Sequence, residues 1–244
     1  MIDPRGSVVT KRLSGVRRVV ALCSAKGGVG KTTTTALAGV ILAGAGRRVG
    51  ILDLDLQGAS THLLLGVEPR FPEEDSGILP VPAAKGLSLM SAAMFAGERG
   101  LALRGGEVSS AILELMAVTV WGDLDFLLID MPPGIGEEIL DLARLVPRVE
   151  VLVVSTPSIL SVAVVARLLS VLRQMNVGVL GVVANAVRGR ADTVSRLAGE
   201  AGVPYGGAVP YDEGLEAATG DPARLAGTVA AQALREALDR LGLS

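Results

Sequence analysis

Short runs of aliphatic and β-branched residues alternate along this chain with longer Ala- and Leu-rich segments at helical spacing. The runs Val19–Ser24, Val49–Asp53, Leu87–Ser91, Phe126–Asp130, Val149–Ser155 and Val179–Ala184 predict strands. They show little polar alternation, which suits strands covered on both faces. Helices are predicted from about Gly30 to the Gly44-Ala45-Gly46 stop, and over 108–120, 137–145, 159–175, 191–201 and 222–241. Strand and helix in repeated succession predict an α/β fold, a doubly wound, mainly parallel sheet with helices on both faces. The stretch Leu65–Ala84 breaks the pattern. Pro69, Pro72, Pro80 and Pro82 surround Glu73-Glu74-Asp75 there, predicting a mobile surface excursion. Without an internal repeat, the pattern divides into a flexible N-terminal arm, residues 1–17, and one domain, residues 18–244.

Composition adds limits to this picture. Half of the 244 residues are apolar, enough for a sizeable core. Apolar stretches are cut by Arg, Asp, Gly or Pro before they reach the roughly 20 residues that span a bilayer. No membrane segment is expected, and the first 18 residues do not read as a secretory signal, so a cytoplasmic location is the expectation. A net charge of −2 provides no whole-protein field for nucleic acid, and aromatic residues at 2% leave little for base stacking. Nucleic acid is therefore not an expected partner; the cluster Lys11, Arg12, Arg17 and Arg18 reads as solvated. Leu225–Leu243 has apolar residues at helical spacing, but its charges balance, so it reads as a packing helix rather than a membrane-surface one. The single cysteine, Cys23, lies within a predicted strand and reads as a small core residue. His62, the only histidine, has no second histidine for a metal site.

Chemistry concentrates between the first strand and its helix, at Ala25-Lys26-Gly27-Gly28-Val29-Gly30-Lys31-Thr32-Thr33. This is a P-loop with Ala25 in place of its first glycine. Gly27, Gly28 and Gly30 let the backbone of Gly27 to Thr33, Val29 included, wrap around phosphate oxygens at a helix N-terminus. Lys31 is expected on the β- and γ-phosphates of ATP and Thr32 on Mg²⁺. Carboxylates are needed at neighbouring strand ends. Asp130, closing the apolar run Leu127-Leu128-Ile129, stands at the Walker B position and is expected to hold Mg²⁺ through water. Asp53 and Asp55 end the second strand and, two apart in an extended chain, share a face; Asp53 reads as a loop cap. Gly134 is expected to offer its backbone N–H to the γ-phosphate. Asn185, at the end of the sixth predicted strand, has an amide that matches a purine edge.

The string Lys26-Gly27-Gly28-Val29-Gly30-Lys31-Thr32 resembles the deviant P-loop of the MinD/ParA/Mrp class of ATPases. The resemblance implies a homodimer in the ATP state, in which Lys26 acts across the interface on the partner's nucleotide. It implies that Asp55 orients the attacking water and joins Thr32 and Asp130 around Mg²⁺. It also implies that Asn185 contacts the base, with Pro210 and Tyr211 packing against it. Trp121 to Gly134, with its Met-Pro-Pro-Gly end, is similar to the Mrp/ApbC branch, the ATPases that carry iron–sulfur clusters; Leu103-Arg104-Gly105 and Leu87–Ser91 agree. These likenesses imply a slow, switch-like ATP hydrolase in iron–sulfur cluster assembly or carriage, with assembly or client proteins as partners. The chain departs from the branch after Asn185. Where members carry Cys-x-x-Cys, it reads Asn185-Ala186-Val187-Arg188-Gly189-Arg190, which leaves an iron–sulfur cluster without its usual ligands. The alternative is a ParA- or MinD-like ATPase that positions DNA or cell-division factors.

Overall fold

The computed structural model describes residues 4–96, 106–134 and 136–244. Its strands are β1 (Val16–Cys23), β2 (Val49–Asp53), β3 (Val81–Ala84), β4 (Leu87–Ser91), β5 (Leu124–Asp130), β6 (Glu150–Ser155), β7 (Gly178–Val187) and β8 (Tyr205–Pro210). They form one sheet in the order β3-β4-β2-β5-β1-β6-β7-β8. Every pairing is parallel except β3 with β4. The helices are α1 (Arg5–Arg12), α2 (Lys31–Gly44), α3 (Thr61–Leu65), α4 (Ala93–Ala96), α5 (Gly106–Val118), α6 (Glu137–Leu145), α7 (Ile159–Gln174), α8 (Asp192–Ala201), α9 (Gly214–Ala218), α10 (Pro222–Ala226) and α11 (Val229–Arg240).

The strands carry apolar residues on both sides because both sides are covered. Val19, Ala21, Leu127, Ile129, Val151 and Val153 join a core with Val9 of α1, Ile112 of α5, Leu142 of α6, Leu168 of α7 and Val194 of α8. Val20, Leu22, Ile51, Leu128, Leu152 and Val154 point the other way, to Leu37 and Ile41 of α2 and Leu234 and Leu238 of α11. Burying each Val, Leu or Ile among them contributes roughly 1.5–3 kcal/mol, so the two-faced pattern fixes the layered arrangement. Each parallel step then returns the chain so that the C-terminal ends of β1, β2 and β5 lie side by side, with Asp53 registered against Asp130.

Several expectations change. The N-terminal arm is instead partly helical: α1 buries Val9 completely, and Arg12 donates to the carbonyls of Ala117 and Ser76. Arg18 is held by Glu150 at 2.9 and 3.1 Å, and by the carbonyl of Gly242 at 2.6 Å. Two of the four basic residues read as solvated therefore tie the fold together. Within Leu65–Ala84, β3 pairs with β4 and Ile78 bridges Thr119, so part of the proline-rich excursion is an ordered sheet edge. The expected helix 222–241 divides into α10 and α11 at Gly227-Thr228, where the Thr228 side chain caps α11 by accepting from Ala231. The apolar face of α11 is consumed in packing, with Ala230, Ala231, Leu234, Ala237 and Leu238 all buried. Among the described residues no helix is long and apolar enough to cross a membrane. Leu103-Arg104-Gly105 lies outside the described residues.

Candidate nucleotide-binding site

The loop after β1 enters α2 through Gly30, whose backbone is left-handed at φ 81°. A Cβ at that position would collide with the Asn185 amide, so glycine is required both for the turn and for the approach of β7. The Asn185 amide nitrogen donates to the Val29 carbonyl at 2.8 Å, fastening the phosphate loop to the end of β7.

Asp130 is the centre of the site. Fully buried at the end of β5, its carboxylate receives Lys31 Nζ at 2.7 Å, Thr32 Oγ1 at 2.7 Å and Thr35 Oγ1 at 2.8 Å. Lys31 is itself buried at 5% exposure, so this ion pair lies in a low-dielectric interior where each charge depends on the other. Thr35 was not a sequence candidate. It stands one helical turn after Lys31, on the same face of α2, and that spacing is the signal that would have found it.

Asp53 turns inward rather than sharing the face of Asp55, because β2 ends at Asp53 and the chain bends beyond it. Its carboxylate accepts the backbone N–H of Asp55 at 3.1 Å and of Thr61 at 3.2 Å, and the Ser91 hydroxyl at 3.4 Å. This is the expected loop-capping role. Burial, and then the charge of Asp130, push its pKa from 3.8 up to about 6. The folded state thus holds this proton more tightly than the unfolded chain does. The resulting stabilisation, on the order of 3 kcal/mol, is complete below about pH 4 and is lost as pH rises through about 6. Carboxyl NMR titration should show Asp53 with a midpoint near 6, moving down when Asp130 is replaced by Asn.

Asp55 remains partly accessible, its carboxylate steadied by the N–H of Gly58 at 3.0 Å. It lines a cavity of about 190 Å³ together with Ser24, Gly27 to Thr33 and Pro133. Lys26 is half-buried, and its side chain has no hydrogen bond or ion pair among the described residues. A second cavity, of about 530 Å³, is lined by Gly28, Val29, Gly30, Thr33, Asn185, Pro210 and Tyr211, together with Ala186, Asp212, Glu213, Leu215 and Glu216. The four loop residues common to both cavities join the phosphate-sized space to the larger one. Asn185, Pro210 and Tyr211, far apart in sequence, are thereby brought together beside the loop.

Gly134 is arranged differently from expectation. Its N–H donates to the Ser24 carbonyl at 2.9 Å, so it is already committed and is not aimed into the phosphate cavity. Cys23 is buried, and burial pushes its thiol up to about 12, which keeps it neutral and inert. His62 is buried in α3, and burial lowers its pKa. Among the described residues no group of three or more His, Cys, Asp or Glu side chains could hold a metal by itself.

Curated relatives named iron–sulfur cluster carrier protein include one from Pseudomonas fragi, 40% identical over 71% of this chain and 61% of the relative. One from Mycobacterium tuberculosis is 36% identical over 82% of this chain and 57% of its own length. The chain therefore spans about three-fifths of the length of these relatives. Among solved structures, a nucleotide-binding protein from Archaeoglobus fulgidus in complex with ADP superposes with a TM-score of 0.75 at 31% identity, covering 90% of this chain and 92% of the other. The cell-division ATPase MinD of Pyrococcus furiosus shares the fold, with a TM-score of 0.67 at 22% identity over 93% of this chain and 98% of that one. The family model described as ParA, NUBPL iron-transfer P-loop NTPase, matches residues 15–226. With a match over most of its length and a phosphate loop closed on Asp130, the chain belongs to the NUBPL-type iron-transfer P-loop NTPase family.

Proposed function

We propose that the chain is a Mg²⁺-dependent ATP switch, a slow ATPase whose ATP-bound homodimer acts in iron–sulfur cluster assembly or carriage beside cysteine-bearing proteins in the cytoplasm. The observation that carries this reading is the convergence of Lys31, Thr32 and Thr35 on Asp130 beneath a loop that joins a phosphate-sized cavity to a base-sized one. Mg²⁺ is ordinarily held by one or two protein oxygens together with substrate phosphates and water. The Thr32 hydroxyl and Asp130 carboxylate, 2.7 Å apart, fit that demand, with Asp55 on the same cavity. Bound Mg²⁺ supplies charge neutralisation on the phosphates. Lys31 then shares its charge between Asp130 and phosphate, Asp55 orients water, and Asn185, Pro210 and Tyr211 receive the base. For Gly134 to reach a γ-phosphate, its bond to Ser24 must be released, and that exchange makes the Pro133-Gly134 turn a reporter of nucleotide state.

The cluster itself is cargo in this reading, and this chain does not ligate it. The turn after β7 presents Arg188 and Arg190, and the one cysteine is a buried neutral thiol. A positioning role has less support, because α11 has no free apolar face and two of the four basic residues are committed to the fold. Light scattering of the purified chain is expected to double its mass on adding Mg²⁺ and a non-hydrolysable ATP analogue. Anaerobic reconstitution with iron and sulfide is expected to leave no stoichiometric cluster absorbance. A mass unchanged by nucleotide would sink the switch, and a stoichiometric cluster would sink the cargo-only reading.

A further inference from the structure

The segment that ends β7 has a second peculiarity besides its lack of thiols. Ala186 is left-handed at φ 53°, a conformation a non-glycine residue adopts only when its surroundings enforce it. The β7–β8 register shifts between Ala184 and Val187. Beyond this bend the Arg188 guanidinium lies over the Tyr211 ring, its Cζ 3.6 Å from the ring centroid, well inside cation–π range. Arg188 is exposed and, among the described residues, makes no ion pair, whereas neighbouring Arg190 is taken by Asp192 at 2.7 Å.

Tyr211 is pinned on both sides by its backbone. Its N–H donates to the Val187 carbonyl at 3.0 Å, and the following residue, Asp212, accepts from Gly214 at 2.8 Å and Ala230 at 2.9 Å. The residue as a whole is 47% exposed, and its side chain lines the larger cavity. Arg188 covers one face of the ring and so settles where that side chain stands.

We propose that Arg188 is a positioning residue of the nucleotide site, holding Tyr211 in the orientation that receives the base. This rests on the nucleotide reading above and extends it to a residue outside the phosphate loop. A pre-set ring leaves less side-chain freedom to be lost on binding. The stack therefore matters for a ligand with a base and not for bare phosphates.

Titration calorimetry with MgATP and with magnesium tripolyphosphate separates the two. Arg188→Ala is expected to weaken MgATP by roughly three- to tenfold and leave tripolyphosphate unchanged. Tyr211→Leu should show the same selective loss, and the double variant no more than either alone, because both remove one device. Arg188→Lys, which keeps charge but not the flat stacking surface, should recover only part of the affinity. Equal affinity of Arg188→Ala and the parent chain for both ligands would overturn the proposal, as would an equal loss on both or additive losses in the double variant. If the parent chain bound neither ligand, the nucleotide reading itself would fall first.

Discussion

A Lys31→Ala chain is expected to lose MgATP affinity by more than about a hundredfold, because truncating one member of a buried, hydrogen-bonded charge pair typically costs 2–5 kcal/mol. The same change is expected to lower folding stability by about 3 kcal/mol, for a separate reason. Lys31 sits 2.7 Å from Asp130, and both are buried. Without the ammonium, the Asp130 carboxylate keeps, among the described residues, only the hydroxyls of Thr32 and Thr35, with the Asp53 carboxyl registered on the adjacent strand. The two effects are separable. Adding Asp130→Asn removes the stranded charge, so the double variant should regain most of the stability in urea unfolding while still failing to bind MgATP by calorimetry. A double variant as unstable as Lys31→Ala would show that the loss lies in packing along α2 rather than in the unpaired carboxylate.

Much of this site was legible beforehand because its chemistry follows the strand ends. Asp130 closes an apolar strand, Asp55 stands two residues past the end of β2, and Lys31 and Thr32 follow the glycine loop after β1, all at the strand ends where a parallel sheet opens its ligand crevice. Asp53 looked like a cap and is one. What escaped the sequence was what depends on contact between distant segments. The last strand, Tyr205–Pro210, has no β-branched run, and its glycines serve close packing: a Cβ on Gly206 would come within 2.9 Å of Leu241 and 3.0 Å of Val183. An edge strand chosen for a helix to lie against it does not advertise itself by hydrophobicity. The N-terminal helix was hidden for a similar reason, since a short segment with one fully buried apolar residue, Val9, gains order from docking rather than from its own periodicity. Gly134 was placed correctly at the turn after β5, but its N–H partner, the Ser24 carbonyl, is a relation between two loops that no spacing encodes.

Hydrolysis is expected to fall by two to three orders of magnitude in Lys26→Ala and in Asp55→Asn, with MgATP affinity within about threefold of the parent chain, the range set by losing one catalytic group from a phosphoryl-transfer site. In our proposal Asp55 serves its own chain, because it lines the phosphate cavity with its carboxylate steadied by Gly58. Lys26 is the opposite case, a half-buried cation at the mouth of the loop whose side chain has no hydrogen bond or ion pair among the described residues. In our proposal its charge serves the nucleotide of a second subunit, so the two variants fail in different chains of the same dimer. Mixing them tests this directly. In a mixed dimer, the Lys26→Ala chain keeps its own Asp55 and takes Lys26 from its Asp55→Asn partner, which completes one of the two sites. With random pairing, an equal mixture should recover about a quarter of the parent turnover, though neither variant is active alone. Turnover per chain should also rise with protein concentration through the dimerisation range. A mixture no more active than its components would place Lys26 in its own subunit's chemistry or outside it altogether, and the homodimer would no longer be needed to complete the site.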